Sequence, residues 1–160
     1  LLFMGGELGQ WHEWNQAQQV DWPLLQVEAH AGIRRLVIDL NRLYRDESSL
    51  HRHDFESSGF RWIDCHDTEQ SVLSFIRSGD NGEAVLCILN FTPVPRHHYR
   101  LGVPQGGSYR EILNSDSGFY GGTNNGNGGN IPVEETPWMG FEHSIVISLP
   151  PLAALFLKAN

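Results

Sequence analysis

The apolar positions change period along the chain. Leu1 to Met4 is an unbroken apolar run that stops at Gly5-Gly6, the pattern of a strand buried on both faces. Glu7 to Pro23 has no sustained period of either 2 or 3.6 residues and reads as a long irregular loop. From about Val27 to Tyr44 the residues Ile33, Leu36, Val37, Leu40, Leu43 and Tyr44 follow helical spacing, with Arg34, Arg35, Asp39 and Arg42 on the other side. This predicts an amphipathic helix, and its stripe is wide enough to need cover from the rest of the protein.

Strand, loop and helix in that order make one βα unit, and a single such strand implies a parallel sheet or barrel whose other strands lie before Leu1. In such a barrel the loops that follow the strands line the catalytic face. Residues 5 to 23 are therefore expected to border a cleft. Beyond Ser48 short strand candidates succeed one another at Phe60 to Asp64, Ser71 to Arg77, Ala84 to Phe91, His97 to Leu101, Ser108 to Asn114, Ser144 to Leu149 and Leu152 to Leu157. They predict an antiparallel sandwich or barrel. Asn81-Gly82 suits a hairpin turn pairing Ser71 to Arg77 with Ala84 to Phe91. The stretch Gly118 to Asn130 is too rich in Gly and Asn for regular structure and is expected to be a long surface loop. The predicted organisation is thus a barrel remnant over residues 1–46 and an all-β antiparallel sandwich over 47–160.

Composition narrows the function classes. The 160 residues are 40% hydrophobic and 19% charged, an ordinary globular balance, and no apolar run approaches the roughly 20 residues of a membrane span. A formal charge of -8 with no basic cluster argues against nucleic acid. Two cysteines are too few for a disulfide scaffold and suit a reducing, cytoplasmic setting. The absence of an initial Met and of a signal-peptide pattern suggests a chain cut from something longer.

The chemistry that stands out is in the loop. Trp11, Trp14 and Trp22 beside Glu7, Glu13 and Asp21 suit a sugar cleft, because indole faces stack on pyranose rings while carboxylates accept hydroxyl hydrogen bonds. Packing of the same side chains against a barrel rim is the plainer alternative. Glu7 and Glu13 on one flexible loop are poorly held for a retaining carboxylate pair. Cys65-His66-Asp67 resembles a nucleophile and base, but neighbours on a strand should point to opposite faces. His51-Arg52-His53-Asp54 lacks partner motifs for a metal, and no cofactor is expected. Asn90-Phe91-Thr92 fits a glycosylation sequon but closes an apolar strand.

Several of these segments resemble bacterial 1,4-α-glucan (glycogen) branching enzymes of the α-amylase family. The resemblance is carried by Leu1-Leu2-Phe3-Met4-Gly5-Gly6-Glu7-Leu8-Gly9-Gln10-Trp11, Glu13-Trp14-Asn15 and Asp21-Trp22. It continues through His30 to Arg45, Ile112 to Asp116, Gly118 to Gly122 and Leu149 to Ala153. Leu8 departs from it, since the family more often has an aromatic residue there. The resemblance implies the last βα unit of a (β/α)8 barrel and a C-terminal β domain, with α-glucan as substrate and the rest of the same barrel as partner. It also implies retaining transfer of a glucan chain to make α-1,6 branches. The Asp nucleophile, the Glu acid/base and a second Asp lie on earlier strands, so no catalytic residue is expected in this chain. Glu7, Trp11, Trp14 and Trp22 are the expected glucan contacts. A free-standing carbohydrate-binding module, or part of a related hydrolase, are the rival readings.

Overall fold

The computed structural model describes residues 3–160. Among the described residues one α-helix, α1 (Glu28–Asp46), precedes eight strands: β1 (Phe60–Asp67), β2 (Val72–Ser78), β3 (Ala84–Asn90), β4 (Arg96–Val103), β5 (Ser108–Asn114), β6 (Ile131–Pro132), β7 (His143–Leu149) and β8 (Ala153–Ala159). The strands form a six-stranded sheet in the order β1-β2-β3-β8-β5-β6 and a two-stranded ribbon of β4 and β7, antiparallel throughout. The expected all-β domain is present, as an unequal sandwich. Its shared core takes Leu86, Ile88, Leu155 and Leu157 from the sheet and Leu101, Val103, Ile145 and Ile147 from the ribbon. The expected hairpin is also present, with Ser78 opposite Ala84 and both Asn81 and Gly82 at positive φ.

Strand β3 explains how the helix is fastened. It is apolar on both faces because both are covered: Leu86 and Ile88 enter the sandwich core, while Val85 and Cys87 form a second cluster with Leu50, against which Leu43 of α1, Phe75 and Phe156 pack. Burial pushes the Cys87 thiol up to about 12, so it is held as a neutral hydrophobe. The Nζ of Lys158 on β8 lies 2.6 Å from Glu47 Oε2, just past the helix. Glu28 in the first turn and Arg45 in the last complement the helix dipole. The helical stripe therefore divides its partners: Leu43 faces the β domain, whereas Ile33 covers Gly9 of the loop.

Two expectations need correction. Of the run read as a buried strand, Leu1 and Leu2 lie outside the described residues, while Phe3 and Met4 are not in a strand. Met4 has φ +38° and the Gly6 amide donates to Phe3 O at 3.0 Å, which closes a turn. A strand has no hydrogen bonds of its own and needs neighbours that these residues do not supply. Cys65 and His66 also break the expected alternation: Sγ lies 3.6 Å from Nδ1. The register against β2 shifts between Asp64 and Asp67, and such an irregularity re-aims side chains.

The His51 to Asp54 segment forms ion pairs. His53 Nε2 is 3.0 Å from Asp80 Oδ1 and its Nδ1 is 3.1 Å from Glu56 Oε2, while Arg77 pairs with Asp54. Among the described residues no group of three or more His, Cys, Asp or Glu is placed to hold a metal. Hydrogen bonds to Glu56 and then Asp80 raise the His53 pKa above its ordinary value of 6.5. Below that value His53 is protonated in the folded and the unfolded chain and the pairs act in full. As pH rises through the higher folded value the contribution is lost. His53→Gln should therefore destabilise the protein at about pH 6 and far less at about pH 9 in urea titrations. An equal loss at both would remove the ion-pair account.

Candidate functional site: the loop cleft

The loop before α1 is irregular but well tied. It opens with a 3-10 turn (Gly6–Leu8) and closes with another (Trp22–Gln26). Gln10 joins its two ends: Nε2 donates to Met4 O at 2.9 Å, and Oε1 accepts from the Asp21 amide at 2.9 Å. Gly5 lies so close that a Cβ there would sit 2.3 Å from Gln10 Cδ, and its φ is +93°. Leu8 is fully buried, and its carbonyl lies 2.7 Å from Nδ1 of the buried His30 on α1. These contacts hold the loop on the helix through groups that show no periodicity, which is why sequence reasoning did not single out Gln10 or His30.

Within the frame is a cleft of about 420 Å³, bordered among others by Trp11, Glu13, Trp14, Asn15, Gln18 and Asp21. Trp11 is 75% exposed and Trp14 46%, so neither spends its full surface on packing. Each is steadied at one edge: Trp14 meets the Phe3 ring edge-on at 5.1 Å, and Trp11 meets the His30 ring at 4.9 Å. One edge held and much of the ring open is a suitable arrangement for a stacking platform. Asn15 Oδ1 accepts from the Ala17 amide at 2.9 Å and shapes the far turn.

The predicted contacts divide. Trp11 and Trp14 line the cleft, together with Glu13 and Asp21. Glu7, in the first 3-10 turn, and Trp22, 53% exposed at the start of the second, lie outside that lining. The sequon is spent on structure: Asn90 is buried, and its Nδ2 donates to Val94 O at 2.9 Å and Pro150 O at 2.8 Å.

Residues 62–160 match the family model for the alpha amylase C-terminal all-beta domain. The chain is 60% identical over 159 residues to the 1,4-alpha-glucan branching enzyme GlgB of Thiobacillus denitrificans, covering 99% of this chain and 22% of that protein. It is 50% identical over 159 residues to the enzyme of the same name from Aquifex aeolicus, covering 99% of this chain and 25% of the relative. The chain thus spans about a quarter or less of the curated relatives it matches. A MUTB mutant crystal structure, from crystals soaked with trehalulose, aligns over 88% of this chain and 21% of its own, with TM-score 0.51 and 16% identity, which is a likeness of fold alone. The chain belongs to the alpha-amylase C-terminal all-beta domain family, and along nearly its whole length it is similar to 1,4-alpha-glucan branching enzymes.

Proposed function

We propose that this chain is the C-terminal part of a cytoplasmic 1,4-α-glucan branching enzyme. In the complete enzyme residues 1–46 would supply the last strand segment, cleft loop and last helix of its (β/α)8 barrel, the strand forming only where preceding strands flank it, and residues 47–160 its C-terminal β domain. The observation that carries this is identity of 50% or more to proteins of that name that runs through the loop and helix as well as the β domain. A free-standing binding module has no use for α1 and a tethered tryptophan loop. The substrate is an α-glucan, a neutral chain that agrees with the charge of -8 and the lack of a basic patch. The Asp nucleophile and Glu acid/base of the retaining reaction belong to preceding strands, and the rest of the barrel is the partner this chain needs.

In this reading Trp11 and Trp14 form part of the cleft wall, with Glu7 and Trp22 as flanking contacts reached once the barrel is complete. A transferase must let a glucan hydroxyl, rather than water, attack the glycosyl-enzyme, so an acceptor chain has to be held across the cleft. Open indole faces suit that task.

The test is to produce the protein with the residues encoded upstream and to assay amylose for new α-1,6 linkages and for reducing ends. New linkages are expected from the longer protein and none from the 160-residue chain, since one βα unit cannot fix a nucleophile and an acid/base on opposite sides of a bond. Trp14→Ala in the longer protein should lower kcat/KM for amylose by about one to two orders of magnitude, or ~1.4 to 2.7 kcal/mol, with little change in stability. Reducing ends without branches would replace the transferase reading with a hydrolase.

A further inference from the structure

A second cleft, of about 550 Å³, lies between the β1–β2 hairpin and β4, with the turn at Trp138 and Met139 as part of its wall. Several of its polar groups are spent on structure. Tyr99 is buried and its Oη donates to Asp67 Oδ2 at 3.0 Å, while Gln70 donates to both Asp67 oxygens. Arg100 is tied to Glu134 and Ser144. Others are left over. Asp64 Oδ1 accepts from the His66 amide at 2.8 Å, and its Oδ2 has no hydrogen-bond partner among the described residues. The His66 side chain, its Nδ1 3.8 Å from Asp64 Oδ1 and 3.6 Å from Cys65 Sγ, is 91% exposed, and Trp138 is 46% exposed.

The backbone around this cleft is held in costly conformations. Trp138 and Phe141 exchange both amide hydrogen bonds at 3.0 Å across a two-residue turn, with Met139 at φ +51° and Gly140 at +78°. Such a turn favours Asn-Gly, and methionine is a poor choice for its first position. His98 has φ +57°, where the register of β4 against β7 shifts between Arg96 and Tyr99. Two non-glycine residues in the left-handed region therefore border one cleft, and strain of this kind persists where the surroundings impose it, often at binding sites.

The chemistry of the cleft selects a ligand class. Anions are disfavoured, because Asp64 and Asp67 face a single guanidinium that Glu134 already neutralises. A metal lacks a ligand set among the described residues. A purely apolar ligand would strand the polar wall. What remains is a neutral polyhydroxylated chain, with one ring face on the Trp138 indole and hydroxyls reaching Asp64 Oδ2 and the imidazoles of His66 and His98. We propose that this cleft is a second glucan-holding site, distinct from the loop cleft, with Trp138 as its platform and Asp64 as its hydroxyl acceptor. Naming the chain an α-1,4 glucan rests on the function proposed above. A second grip on one polymer raises the local concentration of its ends at the first without adding contacts there.

The test uses the 160-residue chain in affinity electrophoresis through gels containing glycogen. The native chain should be retarded, and Trp138→Ala should weaken apparent binding by about tenfold, the loss expected for one aromatic anchor. Asp64→Asn keeps the acceptor for the His66 amide but replaces Oδ2 with a donor, and should weaken binding several-fold. Trp11→Ala with Trp14→Ala should leave most of the retardation. Equal urea midpoints establish that the variants are folded, and Asp64→Asn decides the matter if Trp138→Ala is not. Unchanged retardation of folded Trp138→Ala or of Asp64→Asn, or no retardation of the native chain, would overturn the proposal. The branching assay fails or succeeds independently of this readout, so the two proposals fall separately.

Discussion

Replacing Asp116 with alanine should destabilise the protein by about 2–4 kcal/mol and release the Gly- and Asn-rich loop, because one buried carboxylate organises it. Asp116 Oδ1 accepts from the Thr123 amide at 3.0 Å, and Oδ2 accepts from the Thr123 hydroxyl at 2.6 Å and the Asn125 amide at 3.0 Å. The Asp116 carbonyl takes the Asn124 amide at 2.7 Å. Gly122 must be glycine here, since a Cβ would lie 2.2 Å from that carbonyl oxygen. Hydrogen bonds to a charged acceptor are worth about 1.5–3 kcal/mol each, and they do not simply add because water can reach the freed amides. The estimate is therefore well below their sum. Hydrogen exchange is the direct readout: protection of the Thr123 and Asn125 amides should fall far more than that of β3. Unchanged protection with a lower urea midpoint would place the cost elsewhere.

The second large effect is expected at Gly32, a buried glycine in α1. Alanine is ordinarily worth about 1 kcal/mol over glycine in a helix. Here a Cβ would lie 2.1 Å from the backbone oxygen of Tyr120, a contact no rotamer change relieves. The loop would have to leave the helix, giving up the hydrogen bond from Tyr120 Oη to Asp39 Oδ2 at 2.9 Å and that from Arg35 Nε to Phe119 O at 2.8 Å. Burial, and then the bond to Asp39, push the Tyr120 phenol up to about 12, so its proton stays in place through neutral pH. Overpacking and the lost bonds outweigh the helical gain, and Gly32→Ala should cost about 1–3 kcal/mol net. The double variant is the sharper measurement. Once Asp116→Ala has freed the loop, Gly32→Ala should be neutral or stabilising, and strict additivity of the two would refute a shared contact.

The periodic parts of the fold were legible in the sequence, because period reports which face of an element is buried. Helix α1 and strands β1 to β5, β7 and β8 arose from patterning alone, and Asn81-Gly82 marked its hairpin. Strand β6 did not, since two residues carry no period. The tryptophans were visible as residue types suited to a sugar, and the structure groups Trp11 with Trp14 but leaves Trp22 and Glu7 outside the cleft lining. What sequence could not supply is contact between segments far apart in the chain. Gln10 closing the loop, His30 beneath Leu8, Tyr120 resting on Gly32 and the cleft between Asp64 and Trp138 are all such contacts. Each depends on a single close approach, and a single approach leaves no repeating pattern. Local propensity and periodicity thus determined the elements of this protein, while the tertiary structure alone decided which loops they hold and which side chains remain free to bind.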